Sequence, residues 1–267
     1  MRPLPSCKSF NPKNVLLLNS MVAEPLHLTK APIVEALISI DFSPLSPEVV
    51  ARFPLVLEQL APRYHQPKPL YQTTVQFHAQ GTEPPKQDTL LGAIGFASED
   101  GYYQVQLRPN SFLFSRLAPY ESWDVFTVEA KAVWAVFQKI AVTLSPVSVG
   151  LRYVNKVSFP ADQPIERFLR LYPTVPNSLK GGTQFVNKCH IRVEMAVEDP
   201  EGWLIAQVAI LPPETEGVMT FAVDNDFRFG VAGAASEKLW ALLDRARKQK
   251  NQYFVHFITP ELLETYR

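Results

Sequence analysis

The sequence predicts an α+β fold: an antiparallel sheet with long helices on one face, laid out as a probable tandem duplication of a strand–helix–meander–helix plan. Three observations predict it. Segments with apolar residues at every second position alternate with two long segments whose apolar residues recur near the 3.6-residue period. Prolines, 24 against 11 glycines, fall mostly between those segments, where they end elements. The composition, 46% hydrophobic and 19% charged over 267 residues, is that of a folded chain long enough to enclose a real core.

The elements follow in order. Residues 1–27 are expected to form a flexible N-terminal arm. Its apolar run after Asn14 is broken by Asn19 and Ser20, which makes a poor signal peptide, and Met21 is the expected natural start. Ile33–Phe42 alternates as a strand, with Ala36, Ile38 and Ile40 on one face and Glu35, Ser39 and Asp41 on the other. Ser46-Pro47-Glu48 opens a helix to about Leu60. Strands are then predicted at Leu70–Ala79, Leu90–Ala97, Tyr102–Leu107 and Ser111–Leu117, separated by short polar turns. Glu121–Leu144 is a long amphipathic helix, its stripe including Trp123, Phe126, Val133, Trp134 and Phe137.

The second half replays this order. It has a strand at Val147–Phe159, a short helix at Pro164–Leu171 and a proline-rich loop. Strands at Gln184–Val197, Trp203–Leu211 and Val218–Val223 lead to a helix from Ser236 to about Gln249 and a last helical piece after Thr259-Pro260-Glu261. Residue identity between the halves is poor, so the repeat is one of element order. The expected organisation is a first α+β half over 28–145 and a second over 146–267, packed together.

Two resemblances carry further expectations. The element order resembles the duplicated saddle of the TATA-box-binding protein, whose halves join through their first strands into one curved sheet; this implies topology and, by itself, no function. Lys30-Ala31-Pro32-Ile33-Val34-Glu35-Ala36, Tyr120-Glu121-Ser122-Trp123 and Gly150-Leu151-Arg152-Tyr153-Val154-Asn155 are similar to motifs of a sporadically distributed family of uncharacterised bacterial proteins. The similarity runs from about residue 28 to the C-terminus. It implies a bacterial cytoplasmic setting and brings no mechanism.

Charge and cysteine usage narrow the function classes. With 26 basic and 26 acidic residues the formal charge is zero, which argues against a general nucleic-acid binder. Cys7 and Cys189 lie too far apart in sequence to suggest a disulfide framework, which fits a cytoplasmic protein. His27, His65, His78, His190 and His256 have no metal-like spacing, and only proximity of His78 and His190 in the fold is left open by the sequence. No phosphate loop, nucleophile elbow or cofactor motif is present, so no cofactor is implied; Ser111, Ser115 and Ser122 have no adjacent base and acid.

The candidate site is the sheet face without helices. In the strand from Val147, Arg152, Lys156 and Ser158 alternate with apolar neighbours, and Asn155 interrupts the apolar side. If the two leading strands meet centrally, Glu35 and Arg152 share the open face, either as a polar anchor for a ligand or as a cross-strand pair fixing register. Arg108 and Arg116 flank the Pro109-Asn110 turn beside Tyr102, Gln104 and Gln106, a strip that reads as a contact surface or as ordinary solvated sheet. Trp123, Trp134 and Trp240 fit core stripes. Asp224 and Asp226 around Asn225 read as a turn at a strand end. Lys238, Arg245, Arg247, Lys248 and Lys250 read as charges near a helix C-terminus, or a small basic patch. The leading expectation is a non-catalytic binding module using Glu35, Arg108, Arg152, Asn155 and Lys156 to hold a protein partner or small anionic ligand. The alternatives are an enzyme acting on an anionic or phosphorylated substrate and a nucleic-acid-binding saddle.

Overall fold

A computed structural model describes residues 28–76, 86–142, 144–173, 188–231 and 236–267. The expectations for residues 1–27, for the end of the strand predicted to Ala79, for His78 and for the start of the strand predicted from Gln184 lie outside the described residues. The fold is mixed α+β around a nine-stranded antiparallel sheet, in the order β2-β3-β4-β5-β1-β6-β9-β8-β7.

β1 (Ile33–Phe42) lies in the middle, antiparallel to β5 (Ser111–Leu117) on one side and β6 (Pro146–Pro160) on the other. On its first flank the sheet continues through β4 (Tyr103–Arg108), β3 (Lys86–Ser98) and β2 (Tyr64–Gln76). On its second it continues through β9 (Val218–Gly230), β8 (Glu201–Leu211) and β7 (His190–Glu198). Side chains alternate between the faces of a strand, so the pairing fixes one inward row: Phe96, Val105, Phe114, Ile38, Leu151, Phe227 and Leu204, all buried. A one-residue slip at any step would turn that strand's apolar set to water, and this specifies the register.

Helices contribute further buried residues to the core. The helix expected over Ser46–Leu60 is two, α1 (Pro47–Val50) and α2 (Pro54–Leu60), because Pro54 has no N–H to continue the ladder. α3 (Trp123–Ile140) begins where the Ser122 side chain accepts from the Val125 N–H. Its Trp134 and Phe126 rings meet Phe112 and Phe114 of β5 at 5.1 and 5.6 Å between centroids. The acid on its inner side, Glu129, is buried with both needs met: the Tyr64 hydroxyl donates to it at 2.7 Å and Arg63 pairs with it at 2.5 Å.

Pro164–Leu171, expected as a short helix, forms only a single 3-10 turn, Ile165–Arg167. α4 (Ser236–Phe257) runs eight residues past its expected end, and Tyr253 meets Phe227 of β9 at 5.6 Å. Its inward stripe is Leu239, Leu243, Ala246 and Phe254, at spacings of three, four and eight. α5 (Pro260–Glu264) is capped by Thr259, whose hydroxyl accepts from the Leu262 N–H.

Candidate functional site

Polar side chains concentrate on both faces of the paired strands β6 and β9, and the residue triplet that places them there was expected to be a turn. Asp224-Asn225-Asp226 lies in mid-strand, directly opposite Val154, Tyr153 and Arg152. Asp and Asn favour turns and are depleted in strands, which explains the mistaken ending at Val223. The signal against it was the alternation: Phe221, Val223, Phe227 and Phe229 keep period two straight across the triplet, and all are buried.

Alternation sends Asp224 and Asp226 to the face opposite the core. Arg152 lies on that face too, but it does not pair with Glu35. In the β1–β6 register Arg152 stands opposite Leu37, and Glu35 stands opposite Val154. Arg152 instead grips Asp224 with two parallel bonds, Nε to Oδ1 at 2.9 Å and a terminal nitrogen to Oδ2 at 2.7 Å. The Arg152 side chain is 38% exposed and Asp224's only 9%, so the carboxylate is fixed while one side of the guanidinium faces solvent. Asp224 also accepts from Gln207 at 3.1 Å, and Gln207 bonds the His190 ring at 2.9 Å. Hydrogen bonding to Asp224 raises the proton affinity of Arg152 further, with burial opposing it.

A second cluster lies one residue pair away. Arg228 donates to Asp226 through Nε and a terminal nitrogen, both at 2.9 Å, and reaches Ser39 Oγ at 3.3 Å and Asp41 at 3.6 Å. Ser148 donates to Asp41 at 2.7 Å. Burial pushes the Asp226 carboxyl above its ordinary range, against the pull of Arg228. Beside Arg228, in direct register on β8, Trp203 is 57% exposed. On the other flank a groove of about 340 Å³ is lined by Glu35, Leu37, Leu70, Gln104, Leu113 and Ser115.

The remaining expected site residues divide. Lys156 shares the open side of β6 and is ion-paired with Glu214. Arg108 is exposed at the end of β4 and donates to Gln106 at 2.8 and 3.2 Å. Asn155 does not belong to the open face: it points inward, is buried, and its Nδ2 donates to the Val223 carbonyl at 3.1 Å. Arg116, expected in an exposed strip, is buried as well. It lies 4.6 Å from the rings of both Tyr102 and Tyr103 and donates to the Pro119 carbonyl and Glu121.

Beneath the same strands the inward side carries a polar cluster that sequence reading did not assemble. Tyr153 is its centre. The Tyr120 and Tyr153 hydroxyls are 3.2 Å apart, and the Lys250 ammonium lies 3.9 Å from the centre of the Tyr153 ring. Asn225, the cross-strand neighbour of Tyr153, is wholly buried, and among the described residues neither its Nδ2 nor its Oδ1 has a hydrogen-bond partner. Burial pushes the Tyr120 phenol up to about 12 and that of Tyr153 well above its usual value, so both stay neutral. Burial, assisted by Arg247, pulls Lys250 down to about 7. Among the described residues no group of three or more His, Cys, Asp or Glu side chains is placed to hold a metal ion. Among the described residues no helix is long and apolar enough to cross a membrane.

Neither a protein-family model nor a curated protein matches the sequence.

Proposed function

We propose that the protein is a non-catalytic binding module whose open sheet face, from the Leu37–Leu113 groove to Trp203, docks on a neutral and partly apolar surface of another protein. The observation that carries this is the pairing of the face's central cations: Arg152 with Asp224, Lys156 with Glu214, and Arg228 with Asp226 and Asp41. A surface built for phosphates leaves its cations free for them. Here carboxylates of the same chain already neutralise these three, which weighs against the nucleic-acid saddle and against an anionic substrate held by Arg152 and Lys156. What the face offers outward is an exposed tryptophan next to an arginine, residue types that anchor protein interfaces, and an apolar groove edged with amides. From β4 to β8 five strand spacings give a width of about 24 Å, the scale of a protein contact rather than a small-molecule pocket.

The strand order supports the duplicated-saddle reading of the scaffold, with halves 28–145 and 146–267. β1 and β6 pair at the centre, β5-β4-β3-β2 extends one side and β9-β8-β7 the other, so the first half carries one strand more than the second. The contacts of α3 with β5 and of α4 with β9, on residues of the same inward row, support long helices covering one face. The motifs that resemble the bacterial family fall on β1, on β6 and at the start of α3, the segments that build this centre.

The test is site-specific photo-cross-linking in cells, with a benzophenone side chain at position 203 or 113 of the open face, or at 128 on α3, where Val128 is 68% exposed. The expected result is one adduct common to positions 203 and 113 and absent from 128. Equal adducts from all three positions, or none from the open face, would overturn the reading.

A further inference from the structure

The inward cluster around Tyr153 contains more donors than its own acceptors can use. α4 presents Leu239, Leu243 and Ala246 to the sheet, and the same stripe brings in Lys250 before closing with Phe254. The residue as a whole is half-buried, so part of its stem meets solvent, while its ammonium is enclosed against the Tyr153 ring. No carboxylate pairs with it among the described residues. Arg247, one turn earlier, is near enough to disfavour protons on Lys250 and on both tyrosines, and it too has no carboxylate partner there.

Asn225 supplies the second, independent observation. A buried side-chain amide with neither end bonded carries the desolvation penalty of both groups uncompensated, and proteins rarely leave one without a reason. The Tyr120–Tyr153 pair adds another donor, since two hydroxyls sharing one hydrogen bond leave one O–H to give elsewhere. Lys250, Arg247 three residues before it, the unpaired Asn225 amide and a spare phenol gather on the inward side of the β6–β9 pair; among the described residues the carboxylate that acts on the group is Asp124, through Tyr120, and none pairs with either cation. Water can satisfy an amide; it cannot supply the missing charge.

We propose that this cluster is a binding site for a small oxyanion, a carboxylate or phosphate group, held by Lys250, Asn225 and the Tyr120–Tyr153 pair with Arg247 at its side. The anion's oxygens would accept from Lys250, from Asn225 Nδ2 and from the free phenol, while Asn225 Oδ1 would accept from a ligand hydroxyl or a protonated acid. The site is on the opposite side of the sheet from the docking face and does not depend on it.

The experiment is thermal unfolding of the full chain at pH 6.5 with sodium acetate or inorganic phosphate, against sodium chloride of equal ionic strength, for the wild type, Lys250→Met and Asn225→Leu. A saturable rise of about 3–5 °C is expected near ten times the dissociation constant for a chain of this size. It should be reduced at least tenfold in apparent affinity by Lys250→Met, which leaves an apolar stem of similar length in the stripe. A response to acetate alone identifies a carboxylate site, to phosphate alone a phosphate site, and to both a general oxyanion site. No saturable rise with either anion, or the same rise in Lys250→Met, would overturn the proposal. If Asn225→Leu fails to fold, Lys250→Met decides alone.

Discussion

Lys250 should make the stability of this protein rise with pH across neutrality, and the effect should vanish on substitution. Enclosure against Tyr153 lowers the ammonium from its usual 10.5 to about 7 in the folded chain. Between those values the unfolded chain binds the proton that the folded chain releases, so the free energy of unfolding increases with pH. From pH 7 to 9.5 the limiting slope of 1.36 kcal/mol per unit integrates to about 3.4 kcal/mol. The partly exposed stem admits some water, and about 2 kcal/mol is the more realistic expectation. Below pH 7 the folded chain protonates as well, and the slope disappears. Tyr120 and Tyr153, raised by burial, stay neutral in the folded chain across this window, and tyrosine ionisation in the unfolded chain is common to both proteins and cancels in their comparison. The assay is urea unfolding of the wild type and Lys250→Met at half-unit steps from pH 6 to 9.5, read as the difference between the two curves so that groups common to both cancel. The expected difference narrows in favour of the wild type by about 2 kcal/mol as the pH rises, with Lys250→Met the more stable protein at pH 7. Parallel curves, or a difference changing in the opposite direction, would refute the enclosure of the ammonium. Saturating anion should flatten the slope, because a bound negative charge restores the proton affinity of Lys250.

Two further outcomes probe the opposite face. Asp224→Asn deprives Arg152 of its two-point partner, and it should lower stability by about 1–2 kcal/mol, moderated by the exposure of the guanidinium; a double-mutant cycle with Arg152→Met in urea unfolding should return a coupling of about 1 kcal/mol. Gly150→Ala puts a methyl group against Ser39 Oγ and within 3.2 Å of Arg228 Cδ and Nε, so a loss of about 1–3 kcal/mol is expected, and an unchanged thermal midpoint would mean that Arg228 is not held over β6 as described.

Much of the scaffold was readable because periodicity is a statement about faces. β1 and β5 have the bounds read from their alternation, and the lengths of β4 and β6 differ from expectation only at their ends. The capped start of α3 was signalled by Pro119 and the polar residues around Ser122. What failed has physical reasons. Pro54 breaks the first helix despite a continuous apolar stripe. α4 was cut short because Lys248, Lys250 and Asn251 looked like a terminus, when the stripe simply resumes at Phe254 and Phe257. The open face was located from Arg152 and Glu35, yet its pairing was not, because the partner sat in Asp224-Asn225-Asp226, a triplet with the chemistry of a turn. Once that strand is continued to Gly230, Asp224 falls beside Arg152 and Asn225 beside Tyr153, so register places the strand members of both polar clusters, while Tyr120 and Lys250 arrive from outside the sheet.

The contrast between those clusters separates structure from function. Three successive polar residues in an inner strand of a sheet are unfavourable for propensity and for burial, and a scaffold selected for stability alone would carry Val or Ile there. Asp224 and Asp226 are compensated within the chain by bidentate arginines, so register-keeping is a sufficient account of them, and they neutralise the arginines on their face of the sheet. Asn225 and Lys250 have no such account. Among the described residues the Asn225 side chain has no hydrogen-bond partner, and Lys250 lies against the Tyr153 ring with no carboxylate paired to it, on the side of the sheet where α4 otherwise packs Leu239, Leu243, Ala246 and Phe254. Replacing either by an apolar residue would strengthen the bare protein. Their presence is therefore explained by a state of the protein in which the missing acceptor is supplied from outside, and the Lys250→Met measurements distinguish that state from an idle core polarity.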